Sequence, residues 1–147
     1  MRRYLLLPVA AMLLVAADKP NDANKKDLEK MQGDWVADST VIDGKKTGDD
    51  ESQIIFRTVK GDSYTVSIYD KAIGKGTFTI DATKKPKTMD SRPADAAKDA
   101  APLLSIYEID GDTLRTCSAP AGKERPKDFA CKAGSGHRLT VWKREKK

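Results

Sequence analysis

The chain has little of what most enzyme sites are made from: one histidine, His137, and two cysteines, Cys117 and Cys131, in 147 residues. A single histidine excludes a multi-histidine metal site, and two cysteines are too few for a zinc framework. Nothing in the sequence calls for a cofactor or a metal. Aromatic residues are also scarce, with three Phe, two Trp and four Tyr. Any interior site is therefore expected to be narrow and partly polar rather than large and apolar. The one long apolar run, residues 5–15, is shorter than the ~20 residues a bilayer crossing takes. Helix-period segments between strands are missing as well, which excludes a parallel sheet built from crossover helices.

Arg2 and Arg3, the apolar run and the small residues Val15 and Ala17 together read as a secretory signal over residues 1–17, with cleavage before Asp18. The competing reading is a retained anchor. No cysteine stands at the cleavage point, which argues against a lipid-anchored form. Export to the periplasm or beyond follows from this reading, as does the lack of a membrane span after cleavage. Removing the segment leaves 130 residues, enough for one domain, and lowers the net charge from +5 to +3 because only Arg2 and Arg3 leave with it. Short blocks of charge near the C-terminus read as solvated surface, and an exported chain has little occasion to meet nucleic acid. An oxidising compartment permits a Cys117–Cys131 bridge across the intervening loop. Two independent small apolar side chains fit the same positions.

Residues 18–24 are polar and read as a flexible leader, and the barrel domain is assigned to residues 25–147. Residues 25–31 favour a short helix, stopped by Gly33. From there the hydrophobic period is two. Alternating stretches begin at Trp35, Ile54, Tyr64, Thr77, Lys87, Leu103, Thr113 and His137, separated by turn residues that include Asp110-Gly111-Asp112. Eight such strands, neighbours in sequence, predict an all-β antiparallel domain. An open sheet would leave two edges unpaired, and closure into an up-and-down barrel removes both. The expected fold is thus an eight-stranded antiparallel up-and-down barrel with a short N-terminal helix, and a two-sheet sandwich is the alternative.

Gly33-x-Trp35, placed between a short helix and the first strand, resembles the lipocalin and calycin pattern. That resemblance implies a Trp35 that plugs one barrel end and a basic side chain of the last strand, Arg138 or Lys143, over its ring. This role is structural, closing the barrel without chemistry. Nearly the whole chain after the signal is also similar to a lipocalin-like domain of unknown function found in planctomycete-type bacteria and usually exported. The blocks "QGDW", "VIDGKK", "GKGTFTIDATKKPKTMD", "IYEIDGDTLRTC" and "ERPKDFACKAGSGHRLTVWKRE" carry it, in order. The resemblance implies a fold and a location but no activity. Cys131 departs from the smaller residue more common at that position.

Catalytic readings of "AGSGH", residues 133–137, fail on context. A phosphate loop needs a following helix, whereas a strand follows. A Ser135 nucleophile needs an orienting acid and an oxyanion hole as well as His137. The lysines of "ATKKPK" read as a solvated connection. The expected interior holds Ala37, Ser39 and Val41 in phase with Trp35, then Phe56, Val66, Ile68, Phe78, Ile80, Leu114, Leu139 and Val141. On this reading the protein is a noncatalytic binding module for a small apolar or amphipathic ligand. The alternative is an envelope-associated domain with a filled barrel that meets another protein; a hydrolase ranks last.

Overall fold

A computed structural model of the protein describes residues 20–146; the expected signal segment lies outside them. Helix α1 (Pro20–Met31) leads into β1 (Gly33–Ile42), β2 (Lys45–Lys46), the one-turn helix α2 (Asp49–Ser52), β3 (Ile55–Lys60), β4 (Ser63–Ile68), β5 (Lys71–Asp81), β6 (Lys87–Pro93), β7 (Leu103–Asp110), β8 (Thr113–Ser118) and β9 (Arg138–Arg144). Every pairing is antiparallel, and β1 also pairs with β9, so β1 and β3 to β9 form a closed ring of eight. Closure satisfies both edges that an open sheet would expose. The two-residue β2 is an appendage on the end of β1.

Three elements depart from the sequence reading. The stretch assigned to a flexible leader is helical from Pro20, because a proline in the first turn costs no hydrogen bond and Asp22 suits the positive end of the helix. Lys71 to Gly76, read as a turn, belongs to β5, whose register against β4 shifts between Val66 and Ser67. "DGKKTGDD", read as a turn, contains β2 and the start of α2.

Helix α1 closes one end of the ring. Its Leu28 and Met31 pack on a core of Trp35, Ala37, Val59, Phe78, Met89, Tyr107, Leu114 and Trp142. Polar ties fix its position: Asn24 accepts from the Ala82 amide at 2.7 Å, and Gln32 both donates to the Gly61 carbonyl at 3.0 Å and accepts from the Gly61 amide at 2.7 Å. Buried Asp27 accepts from Lys87 Nζ at 2.7 Å and from the Tyr107 hydroxyl at 2.9 Å. Burial, with the hydrogen bond to Asp27 second, raises the Tyr107 pKa, so the phenol stays a donor. Asp27→Asn keeps an acceptor but removes the charge from the Lys87 contact. We expect a loss of about 0.5–1.5 kcal/mol in urea unfolding, accompanied by faster protease cleavage within α1. Unchanged cleavage would mean that α1 is held by its apolar face alone.

Candidate functional site

Strand register decides which side chains face the barrel interior, since successive residues alternate sides. From Trp35 opposite Arg57 and Ala37 opposite Trp142, the inward set runs through Ile55, Arg57 and Val59 on β3, Tyr64, Val66 and Ile68 on β4, Gly76, Phe78 and Ile80 on β5, and Met89 and Ser91 on β6. It continues with Ser105, Tyr107 and Ile109 on β7, Leu114 and Thr116 on β8, and Thr140, Trp142 and Arg144 on β9. Of the residues expected inside, Ala37, Val66, Ile68, Phe78, Ile80 and Leu114 fall on this side.

Five do not. A register shift between Ala37 and Ser39 moves β1 out of phase, so Thr40 turns inward and Ser39 and Val41 face out. Phe56 faces out because its neighbour Arg57 faces in. Leu139 and Val141 face out, opposite Cys117 and Arg115, while Thr140 and Trp142 take the interior.

The outward apolar residues are explained by the segment 119–136, which lies against the outside of the ring. Arg125 donates to the carbonyls of Met89 and Ser105 at 3.2 and 2.7 Å and pairs with Asp90 at 2.6 Å. The Phe129 ring lies 4.4 Å from the Arg115 guanidinium. Ile106 and Cys117 on the outer face are buried, as are Ala119 and Cys131 of this segment. Both cysteines are free thiols, so the structure contains no Cys117–Cys131 bridge. Cys131 has a positive φ of 45° and its sulfur lies 3.3 Å from the Val41 carbonyl and 3.1 Å from that of His137. Burial, with Cys131 and Asp128 nearby, pushes the Cys117 thiol up to about 11. Ser135 donates to the Lys132 carbonyl and accepts from the His137 amide at 3.2 Å, contacts that shape a turn.

At the closed end, Trp35 is fully buried and its Nε1 donates to the Met31 carbonyl at 2.9 Å. The cation over its ring is Arg144, 4.3 Å from the centroid, and not Arg138 or Lys143. Arg138 sits at the far end of β9 beside Ile42 and Ser118, and Lys143 faces outward and donates to Thr113 at 3.0 Å. Arg144 also donates to the carbonyls of Lys30 and Gln32, each at 2.7 Å, and pairs with Asp112 at 3.0 Å. One side chain thus joins the end of α1, the β7–β8 turn and the tryptophan. Gly33, with φ +109°, supplies the backbone angle that turns α1 into β1 over this plug.

The interior is less apolar than a plain core. Register places Thr40, Thr140 and Thr116 side by side across β1, β9 and β8, all three buried. Thr116 accepts from Trp142 Nε1 at 3.1 Å, while Thr40 Oγ1 is buried with no hydrogen-bond partner. Deeper in the ring is Arg57, only 8% exposed. Its guanidinium carbon lies 5.1 Å from the Tyr64 ring centroid, 5.7 Å from that of Phe78 and 6.0 Å from that of Trp142. Nη2 reaches only the Met89 sulfur, at 3.8 Å, and Nε is buried without a partner. Among the described residues no carboxylate pairs with it. Burial lowers its pKa to about 10, which leaves it a cation at neutral pH. Burial also raises the pKa of the Tyr64 hydroxyl, against the pull of Arg57 and with a smaller push from Asp95. The ring of Tyr64 has room to lie there because β5 carries Gly76 at the crossing: a Cβ on it would meet the Tyr64 hydroxyl at 2.8 Å and the Arg92 carbonyl at 2.3 Å.

Arg57 is the residue that sequence reasoning missed. A charged residue in an alternating run is assigned to solvent, and the only available signal was its position directly between Phe56 and Thr58 in a strand flanked by an inward Val59. At the end away from α1, the inward side chains of Ile55, Val66, Ile68 and Ser91 are only half-buried. Tyr69 and Ile73 nearby are 65% and 56% exposed, beside a concavity of about 440 Å3 lined by residues 72–75, Ala94 and Asp95. The chain matches no family model, no curated protein and no solved structure.

Proposed function

We propose that the protein is an exported, noncatalytic binding module that takes one small amphipathic molecule into its lipocalin-like barrel. The observation that carries this reading is the inequality of the two ends. One is stopped by α1, Trp35 and Arg144, while at the other the inward Ile55, Val66, Ile68 and Ser91 are half-buried and Tyr69 and Ile73 stand exposed beside them. A filled structural barrel has no need of that asymmetry. The partly polar wall, with its threonine row, fits a ligand that carries a polar group more closely than a wholly apolar one.

A second reading, docking of an envelope protein, draws on Tyr69 and Ile73 as an exposed apolar pair. Native mass spectrometry of the exported protein separates the two. The binding reading expects a single copurifying mass that organic extraction removes, and a rise in melting temperature of the extracted protein with the neutral amphiphile 1-octanol. Absence of both would leave protein docking as the better account.

A further inference from the structure

We infer that Arg57 is an anion subsite inside the barrel, and that the molecule it receives carries a single carboxylate, inserted head first from the end opposite α1. This rests on the barrel-binding reading above and adds the chemistry of the head group. A guanidinium that is nine-tenths buried keeps five N–H donors and loses its hydration. The three aromatic rings lie within cation–π reach and the Met89 sulfur touches one edge, but ring faces and a thioether accept no strong hydrogen bond. Nε remains without an acceptor, and among the described residues no acid balances the charge. A carboxylate supplies both missing elements, because its two oxygens match the guanidinium fork and its charge is opposite.

The charge count points to a monoanion. Three cations around the barrel are already engaged: Lys87 with Asp27 and Arg144 with Asp112 at the closed end, and Arg125 with Asp90 in the segment against the outer face. Arg138, on the inward phase opposite Ile42 and Ser118, is exposed at the open rim, well along β9 from the level of Arg57 and Trp35. A dianionic phosphate on Arg57 would leave one negative charge buried without a partner, whereas a carboxylate leaves none. An apolar tail then extends past Val66, Ile68 and Ile55 toward the open end, where these side chains remain half-buried.

Isothermal titration of the extracted protein with octanoate and with 1-octanol tests the assignment. Octanoate is expected to bind roughly 10- to 100-fold more tightly than the alcohol, the range of a charge-assisted hydrogen-bonded pair. Arg57→Met should abolish that preference, so that octanoate binds the variant no more tightly than octanol does. Arg57→Lys, which retains the charge without the fork, should retain part of the preference and serves if the methionine variant does not fold. Equal binding of the two probes by the wild-type protein overturns the carboxylate subsite and leaves the barrel-binding reading standing. A preference that survives Arg57→Met places the anion elsewhere and also overturns it. If neither probe binds the folded wild type, the carboxylate subsite is overturned, and the barrel-binding reading falls with it when no copurifying mass is found either.

Discussion

Trp35→Ala is expected to lower the unfolding free energy by about 3–5 kcal/mol, the cost of truncating a large buried aromatic that its surroundings cannot refill. Three losses combine at this position. The indole is fully buried in the main core cluster, its N–H satisfies the Met31 carbonyl at the end of α1, and its face packs under Arg144. Against a total stability of about 5–15 kcal/mol for a domain of this kind, a loss of that size brings the variant close to its unfolding threshold. Trp35→Phe separates the contributions, since it keeps most of the apolar ring and drops the N–H; about 1–3 kcal/mol should go with the unsatisfied carbonyl and the smaller ring. Urea titration followed by circular dichroism measures both, and Trp142, the remaining tryptophan, reports the barrel interior by fluorescence. A loss below about 1 kcal/mol for the alanine variant would mean that α1 and Arg144 close the barrel without the indole.

The fold was legible from the period-two runs and the turns between them because an antiparallel barrel is local: each strand pairs with its sequence neighbour, and only the β1–β9 seam joins distant segments. The interior was less legible, for reasons that differ by residue. On β1 the register shift after Ala37 reverses the phase, and one extra residue leaves no mark in composition. On β9 both faces are partly covered, the inner by the core and the outer by the segment 119–136, so apolar Leu139 and Val141 gave no clue to direction. The cation over Trp35 was sought within the last strand, and Arg144 at its very end has the reach because β9 crosses β1 at Trp35. The error on β3 is of another kind. Polarity placed Arg57 outside and Phe56 inside, and the structure reverses them. A place where a sound local rule fails without an obvious structural gain is where function is expected to have overridden packing.

Burying the Arg57 cation has a thermodynamic consequence that does not depend on any ligand. In the ligand-free protein, Arg57→Met should raise the unfolding free energy by about 1–4 kcal/mol, the range found when buried ions are exchanged for apolar side chains of similar volume. The opposing effects can be compared. Burial lowers the Arg57 pKa from its ordinary value to about 10, equivalent to about 3 kcal/mol of disfavour for the folded cation. The contacts with Tyr64, Phe78 and Trp142 return part of this, but at 5.1–6.0 Å they lie toward the outer limit of cation–π attraction, and each is worth about 0.5–1 kcal/mol. The folded pKa is depressed below the unfolded value. Above about pH 10, up to the ordinary arginine range, the unfolded chain therefore binds more protons than the folded one, and the wild type gains stability from this group as the pH rises. The advantage of the methionine variant should accordingly be full at neutral pH and shrink above about pH 10. Octanoate should narrow or reverse the ranking by stabilising the wild type more than the variant. Should Arg57→Met instead destabilise the ligand-free barrel at neutral pH, the aromatic cage outweighs desolvation. Arg57 would then be a structural plug, with its charge already satisfied and no call for an anion.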